Sequence, residues 1–479
     1  MIKRAMKKSL VAAAVASGLW ACAPDLATTK TENTEVVPDR FNDVQDSTNT
    51  ADIAWQDYFN DPYLTALIDT ALINNQELNI ILQEIEIARF EVRAKKGEYL
   101  PSVGVGAGAG FEKVGRYTPE GASEATTDIK PGKAMPDPVP ELGIGAYATW
   151  EIDVWKKLRN AKKSAVKRYL STIEGKNFMV THLIAEIAHS YYELLALDNQ
   201  LAIVRQNIEI QSNALEIVKQ QQLASRVTAL PVRKFEAEVL GTKSLQYGIQ
   251  QQIIEMENKI NFLVGRYPQP IERNAEVFNG LVPDMVYAGI PAQMLDNRPD
   301  IKQAELELAA AKLDIQVAKA RFYPSIGISA GIGFQAFNPK YLIKSPESLL
   351  YSLVGDVSAP LINRNAIKAT YFSANAKQIQ AVFNYERAIL KGYIDVINQL
   401  SNISNLEQSY ALKQQEVETL NESIVIATDL FKSARADYME VLMTQRDALS
   451  SRFELVETKI KQLNAKVNVY QALGGGWKE

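Results

Sequence analysis

Residues 102–111 alternate strictly between apolar and small side chains. The odd-numbered positions carry the apolar residues Val103, Val105, Ala107, Ala109 and Phe111. The even-numbered positions from 104 to 110 are all glycine. Alternation of this kind over about ten residues predicts a membrane-spanning strand.

The same segment returns 223 residues later in the chain. SVGVGAGAGF at 102–111 matches SIGISAGIGF at 325–334, and a proline precedes each copy. The match indicates that a structural unit has been duplicated. Each copy is therefore expected to carry the same elements in the same order.

A second strand is predicted after each copy. Apolar residues fill alternate positions from Leu142 to Ile152, and a second alternating run extends from Leu349 to Ala359. Residues 115–140 hold five prolines, which predicts a loop between the first two strands. The chain thus offers four strands.

Helical periodicity fills most of the remaining sequence. Helical patterns cover about 61–100, 176–230, 232–263 and 300–322, and no proline follows Pro360. The last helix repeats apolar residues every seven positions from Leu442 to Tyr470, which is typical of a coiled-coil seam. A straight helix of about 65 residues is about 100 Å long, so a rod is predicted.

The N-terminus has the character of a targeting segment. A basic start is followed by the apolar stretch 9–20, which is too short to span a bilayer, and then by Cys22, the only cysteine. The segment resembles a lipobox, in which Cys22 is acylated, and Ala23 after it favours the outer membrane over the inner one. The alternative is an ordinary secreted protein with an incidental cysteine.

Charge and hydropathy exclude two classes of protein. The formal net charge is −4, and loss of the four cationic residues before position 9 makes it about −8, which argues against nucleic acid as a partner. No segment offers the eighteen or so apolar residues of a membrane helix.

Four membrane strands cannot close a barrel by themselves, because a single-chain barrel has at least about eight. An open strand edge in lipid leaves backbone groups without partners. Two chains would supply eight strands with a filled interior, and three would supply twelve with a lumen. The residues alone leave both possibilities open.

Four motifs carry a resemblance to a known family. They are Asn297-Arg298-Pro299-Asp300-Ile301, Phe322-Tyr323-Pro324-Ser325-Ile326, Trp150-Glu151-Ile152-Asp153-Val154-Trp155 and the terminal run from Tyr470 to Trp477. Together they resemble the outer-membrane efflux protein family, the TolC-like ducts, in its lipoprotein branch of OprM or NodT type. The resemblance covers nearly the whole chain after Cys22.

The resemblance implies a mainly α fold with membrane β structure. Three chains would form a 12-stranded outer-membrane β-barrel continuous with a 12-helix periplasmic coiled-coil tunnel. Each chain would contribute four strands and four long helices, besides shorter ones, in two tandem repeats. The expected segments are a signal peptide (1–21), an extended N-terminal arm (22–60), a first repeat (61–265), a linker (266–290), a second repeat (291–473) and a C-terminal tail (474–479).

The resemblance also implies a function and partners. The expected protein is a homotrimeric exit duct in outer-membrane lipid, not an enzyme, without a cofactor. It would export small toxic compounds with a periplasmic adaptor protein and an inner-membrane pump of the resistance-nodulation-division class. Two alternatives are a duct for type I protein secretion and a periplasmic coiled-coil lipoprotein without a pore.

The gate and the adaptor contacts are expected at two hairpin tips, Ser225–Leu230 and Ser433–Tyr438, which align at an offset of 208. The gate candidates are Asp429, Arg435 and Asp437, whose alternative role is that of a solvated helix end. The candidate adaptor contacts are Arg226, Val227, Thr228, Ala434, Ala436 and Tyr438. Family members usually carry glycine where Arg226 and Ala434 stand.

One motif with metal-ligand spacing is present. Glu186 and His189 form a Glu-x-x-His pair, and His182 lies on the same predicted helix face. A di-iron site needs two such motifs, and the chain has only these two histidines. A structural role is therefore the interpretation, and no metal site is predicted.

Overall fold

The computed structural model describes residues 23–26, 30–31, 38, 40–41, 49–281, 287–433 and 435–478, apart from the side chains of residues 130 and 279. The signal peptide, Cys22 and Ala434 lie outside these residues. The chain divides into two compact units. The first comprises 1–31, 86–170 and 306–382, and the second comprises 32–85, 171–305 and 383–479.

The N-terminal part of the second unit is helical. A 3-10 turn, Thr50–Asp52, precedes helix α1 (Trp55–Phe59). The prediction of an extended arm up to residue 60 is wrong for this stretch, because aromatic residues anchor it. Tyr58 stacks on Tyr470 with ring centroids 4.2 Å apart, and its hydroxyl donates to the Lys466 carbonyl at 2.8 Å.

The helix predicted over 61–100 is two helices, α2 (Pro62–Asn74) and α3 (Gln76–Tyr99). Asn75 separates them with ψ near 126°. Its Oδ1 accepts from the Leu78 N–H at 2.9 Å, and its Nδ2 donates to the Leu263 carbonyl at 2.8 Å. The asparagine thus caps α3 and fixes the break to a distant part of the chain.

The first unit holds a four-stranded antiparallel sheet in the order β1-β4-β5-β6. Its strands are β1 (Ser102–Glu112), β4 (Val139–Ile152), β5 (Ser325–Ala336) and β6 (Leu349–Ser358). The β1–β4 connection contains helix α4 (Pro119–Thr126) and a small hairpin of β2 (Asp128–Lys130) and β3 (Lys133–Ala134). The β5–β6 connection has only the 3-10 turn Pro339–Tyr341.

The strand registers confirm the predicted alternation. Val103 lies opposite Ala148, Ala148 opposite Ala330, and Ala330 opposite Leu353. Since side chains alternate along every strand, all four apolar sets lie on one face of the sheet. The other face carries most of the glycine and serine positions, together with Tyr147, Leu350 and Val354.

Glycine permits close backbone approach in the middle of this sheet. A Cβ at Gly145 would lie 2.8 Å from the Ile332 carbonyl oxygen, and one at Gly333 would lie 2.5 Å from that of Ile144. Strands β4 and β5 therefore require the absence of a side chain at both positions.

Four long helices form two hairpins. They are α5 (Lys157–Leu223), α6 (Ala229–Leu263), α9 (Asn365–Lys432) and α10 (Tyr438–Ala472). The outgoing helices α5 and α9 have 67 and 68 residues, and the returning helices α6 and α10 have 35 each. The duplication predicted from the strands thus extends to the helices. Within the described residues, no helix is both long and apolar enough to span a bilayer.

Between the hairpins the chain forms α7 (Pro291–Asn297) and α8 (Pro299–Ala320). The linker before them contains a 3-10 helix, Ala275–Gly280, which buries Phe278 completely. The main core of the second unit joins apolar residues of α2, α5, α6 and α10, including Leu64, Ile187, Ile260 and Leu463.

Candidate gate at the helical hairpin tips

The first hairpin turns without glycine or proline. Ser225 adopts φ +58° immediately after α5. The Ser225 N–H donates to the Gln222 carbonyl at 2.9 Å, and the Arg226 N–H donates to that of Gln221 at 2.9 Å. These two bonds are those of a Schellman helix end. Serine thus occupies the left-handed position that glycine usually fills.

The second hairpin turn repeats this bond 209 residues later. The Arg435 N–H donates to the Leu430 carbonyl at 2.8 Å. The offset of 208 predicted between the tips is therefore wrong by one residue, because the helix ends set the equivalence. Arg226 corresponds to Arg435, and Ser225 corresponds to Ala434, which lies outside the described residues.

The two returning helices begin differently. Asp437 precedes α10, and its Oδ1 accepts from the Met439 N–H at 3.0 Å. Thr228 occupies the same position before α6 and makes no side-chain capping bond. Asp437 therefore has a structural role that the sequence analysis missed. The Asp-x-x-Glu spacing of Asp437 and Glu440 resembles a capping box and could have revealed it.

The three gate candidates are exposed and separate within one chain. Asp429 lies 3.5 Å from the Lys432 ammonium group, and Asp437 caps its own helix. Across the described part of the chain, no ion pair or hydrogen bond joins Asp429, Arg435 and Asp437 to one another. A constriction made of these residues would require side chains from several copies.

The candidate adaptor contacts fall into two groups. Arg226 and Thr228 are exposed, whereas Val227, Ala436 and Tyr438 are partly buried. Val227 and Tyr438 pack against a tip cluster, which consists of Val218, Val232, Phe235 and Val441. This cluster joins both hairpins, so Val227 and Tyr438 contribute to packing within the chain.

Behind the tip cluster lies a buried polar layer. This layer consists of Asn207, Gln211, Gln445 and Ser451, each at most 6% exposed. Along α5 it falls between Val204 of the main core and Val218 of the tip cluster. Both polar atoms of the Gln211 amide lack a hydrogen-bond partner among the described residues, as do Gln445 Oε1 and Ser451 Oγ. Each unpaired buried polar atom costs stability, so these side chains destabilise this part of the bundle.

Next to this layer, polar side chains on different helices form hydrogen bonds with one another. The Arg452 guanidinium donates to Asn421 Oδ1 at 3.0 Å and to Gln206 Oε1 at 3.3 Å, and burial lowers its pKa. Lys413 donates to Glu416 and Glu454, and these bonds raise the pKa of its ammonium group. The exposed pairs of Lys413 contribute little stability.

The Glu-x-x-His motif is occupied by protein contacts. Both ring nitrogens of His189 face asparagine oxygens, at 2.8 Å from Asn464 and 3.0 Å from Asn468. Glu186 contacts His182 and Lys259 at 3.9 and 3.5 Å. His189 thus joins α5 to α10, which agrees with the structural interpretation of the motif.

Two of the motifs that carried the resemblance meet in space. The Arg298 guanidinium forms two bonds to Asp300, at 3.0 and 2.8 Å, and a third to the Ala472 carbonyl at 2.9 Å. The Trp477 indole donates to the Asn297 carbonyl at 3.0 Å, and Gly474 approaches the same carbonyl with φ +85°. We call this set the C-terminal clasp.

The family model described as outer membrane efflux protein matches residues 67–266 and 290–475. The chain belongs to this family. Among its family relatives, the pyoverdine export outer membrane protein OpmQ of Pseudomonas aeruginosa is 28% identical over 424 residues, 88% of this chain and 87% of that protein. The cation efflux system protein CusC of Escherichia coli is 25% identical over 448 residues, covering 92% and 94%.

Solved structures of outer-membrane channels share the fold of this family member. A crystal structure of CusC superposes with a TM-score of 0.80 at 24% identity, covering 95% of this chain and 99% of that one. The open state of the Neisseria gonorrhoeae MtrE outer membrane channel gives 0.81 at 21% identity, covering 95% and 99%. Both agree with the predicted TolC-like, mainly helical class.

Proposed function

We propose that three copies of this outer membrane efflux protein form the exit duct of a tripartite efflux pump. One observation carries the proposal. The sheet presents one continuous apolar face, and among the described residues its outer strands β1 and β6 each have one edge without a pairing strand. A sheet of this kind in lipid must close against other copies, because unpaired backbone groups are not tolerated there.

Three copies give twelve strands, which is enough for a lumen, whereas the eight strands of two copies would enclose only side chains. The face that would line the bore carries glycine and serine at most positions of β1 and β5, such as Gly106, Gly108 and Gly331. Small side chains on that face favour an open interior over a packed one. This supports the trimer over the dimer.

The four long helices of each copy would give a wall of twelve. A straight helix of 67 residues is about 100 Å long, which suits a tunnel through the periplasm. Large apolar side chains remain exposed along α9, among them Phe383, Leu390, Leu412 and Val425. Neighbouring copies would cover such residues.

The tips would carry the gate. In a trimer, threefold copies of Asp429, Arg435 and Asp437 would meet around one axis. A ring of acidic or ion-paired side chains narrows a mouth and favours cations within it. The exposed Arg226 and Thr228, with Ala434 and Ala436, would contact the periplasmic adaptor. The adaptor would in turn link the duct to an inner-membrane pump of the resistance-nodulation-division class.

In this proposal two features attach the protein to the outer membrane. The barrel would lie in the outer membrane, and an acyl group on Cys22 would add a lipid anchor. The duct would hydrolyse nothing itself, since the pump supplies the energy. A wide bore lined by small residues selects weakly, so cargo choice would lie mostly with the pump.

The proposed cargo is small toxic compounds. Relatives are named for pyoverdine export, cation efflux and solvent efflux, all of which concern small solutes or ions. Deletion of the gene should therefore sensitise cells to drugs, solvents or metal ions and leave protein secretion intact. Loss of a secreted protein alone would favour the type I secretion alternative.

The pore itself is testable with purified protein. Light scattering in detergent should give a protein mass of about three chains, and planar bilayers should show single-channel currents. Heat-denatured protein in the same detergent provides the control for currents. Stable, folded monomers would exclude the trimer, and a silent bilayer with folded trimers would favour the coiled-coil lipoprotein without a pore.

A further inference from the structure

Helices α3, α5, α8 and α9 join the strands of the sheet at four junctions, and all four lie at one edge, which we call the junction edge. Ser102 at the start of β1 pairs with Thr149 near the end of β4. Ile152 pairs with Ile326, and Ser325 with Ser358 at the end of β6. The register therefore places the helical side of every junction on the same side of the proposed membrane.

The junction edge is strongly basic. The segments that follow or precede the strands there, residues 92–101, 153–163, 314–324 and 359–369, contain twelve Lys and Arg against three acidic residues. The connections at the opposite edge, residues 113–138 and 337–348, contain six Lys and Arg against five acidic residues. The excess of positive charge thus belongs to one side of the sheet only.

Few of these cations are neutralised within the chain. Lys95 pairs with Glu98 at 2.8 Å, Arg159 pairs with Asp153 at 3.1 Å, and Lys157 pairs with Glu151. By contrast, Lys96, Lys156, Lys163 and Arg321 are exposed, and none of them has a carboxylate partner in the described parts of the chain. We call these four the basic collar.

Aromatic residues mark the same edge. The Trp150 indole donates to the Tyr99 carbonyl at 3.2 Å. The Trp155 indole donates to the Pro324 carbonyl at 2.8 Å, and its ring stacks on Tyr323 at 4.8 Å. Tryptophan and tyrosine concentrate where the hydrocarbon core meets the headgroups. Each member of the basic collar lies within eight residues of one of these aromatic residues, on the helical side of its junction.

We propose that the basic collar binds the phosphodiester headgroups of anionic phospholipids in the leaflet at the junction edge. The proposal rests on the membrane-spanning role of the sheet given above. Each cation near an anionic surface strengthens attraction about fivefold, and the effect fades within about 10 Å at 0.1 M salt. Position favours lipid over an acidic protein, because the collar adjoins the apolar face of the sheet.

The test compares two variants of equal net charge. The collar variant carries Lys96→Gln, Lys156→Gln, Lys163→Gln and Arg321→Gln. The control variant carries Lys113→Gln, Arg116→Gln, Lys133→Gln and Lys340→Gln, four exposed cations in the connections at the opposite edge. Each trimer is reconstituted into nanodiscs of phosphatidylcholine with phosphatidylglycerol, and native mass spectrometry counts the lipids it retains on release.

We expect the wild type and the control variant to enrich phosphatidylglycerol over its bulk ratio. The collar variant should lose most of that enrichment, by about tenfold or more for four cations. Enrichment should also fall as salt rises from 50 to 500 mM in the wild type. A collar variant with wild-type enrichment, or a control variant with an equal loss, would overturn the proposal.

Channel currents separate this proposal from the proposed function. The collar variant should remain trimeric and conduct like the wild type, because its substitutions leave the strands unchanged. If the collar variant fails to assemble, two double variants replace it. One carries Lys96→Gln and Arg321→Gln, and the other carries Lys156→Gln and Lys163→Gln. Each should lose part of the phosphatidylglycerol enrichment. If both double variants retain the wild-type lipid ratio, the proposal that the basic collar binds lipid is wrong. If the wild-type protein gives no channel currents, the proposed function as a duct is wrong instead.

Discussion

Ser225 shows how a single residue can hold a helix end in a strained form. Its φ of +58° lies in the left-handed region, where a residue with a Cβ is about 1 kcal/mol less stable than glycine. The two Schellman bonds hold the turn nonetheless. A substitution at Ser225 that relieves this strain should therefore stabilise the tip of the first hairpin.

We predict that Ser225→Gly raises the free energy of unfolding by about 1 kcal/mol, because glycine relieves the left-handed strain. Denaturant unfolding in detergent and hydrogen exchange at the end of α5 measure the change. Arg226→Gly is the matched control and should not stabilise, since Arg226 has no positive φ. The reverse order of the two variants would contradict the 209-residue equivalence.

At Asp437 the charge and the helix cap can be separated. Asp437→Ala removes both, and loss of the cap alone should destabilise the start of α10 by about 1 kcal/mol. We expect this variant to loosen the tip and raise the conductance of closed channels in planar bilayers. Unchanged conductance would remove Asp437 from the gate.

Asp437→Asn keeps a capping oxygen without the charge. Near wild-type conductance in this variant would assign the effect of Asp437→Ala to the cap. A rise equal to that of the alanine variant would assign it to the carboxylate ring. Hydrogen exchange of Met439 reports the cap independently of the currents.

Residue patterns predicted the tips only to within one position. The family resemblance located both hairpin tips, yet the turn chemistry was not readable because serine stands in the left-handed position that glycine usually fills. The cap at Asp437 was readable from the Asp-x-x-Glu spacing. Whether the gate candidates meet depends on several copies, which no pattern within one chain encodes.

Elements were predicted more fully than their interruptions. All four strands lie where the alternation indicated, because a half-buried pleated face imposes a period of two. The break at Asn75 was missed, since helical spacing of apolar residues continues across it. Its cause is a bond to the Leu263 carbonyl, 188 residues away, which local sequence does not reveal.

The polar layer predicts an unusual response to mutation. Gln211 is fully buried, and its amide has no partner among the described residues. Gln211→Leu should therefore stabilise the bundle by about 1–3 kcal/mol in denaturant unfolding. Gln220→Leu, at an exposed position of the same helix, should change stability by less than about 0.5 kcal/mol. A destabilised Gln211→Leu would show that the amide is satisfied in solution.

The C-terminal clasp predicts the opposite response. Arg298→Lys keeps the charge but loses the fork that engages Asp300 and the Ala472 carbonyl together. We expect a loss of about 2 kcal/mol and faster hydrogen exchange at Ala472–Trp477. Lys319→Arg, a charge-conserving substitution at an exposed position of α8, is the control. Unchanged exchange in Arg298→Lys would mean that Trp477 holds the terminus alone.

At the scale of the whole molecule, the proposed duct requires more than one chain. The sequence predicted the apolar face of the sheet, and the registers confirm it across four strands. The number of copies was left open between two and three, because closure is a property of the assembly. The small residues of the inner face are the reason for which three copies are proposed.

The proposed anchor at Cys22 can be tested at this scale. Cys22→Ser should abolish incorporation of labelled palmitate and still give trimers that require detergent for extraction, because the proposed barrel would itself hold the protein in the membrane. Wild-type protein labelled in parallel is the control. A variant found free in the periplasm without detergent would refute the barrel.

The matched helix lengths limit how this protein can change. A seven-residue insertion in one long helix would shift its tip by about 10 Å and pull apart the tip cluster shared by both hairpins. Lengthening would therefore have to occur in all four long helices at once. The β1–β4 and β5–β6 connections differ by 14 residues within one chain, so length varies freely there. Insertions and deletions among descendants of this gene should accumulate at that edge and spare the shafts.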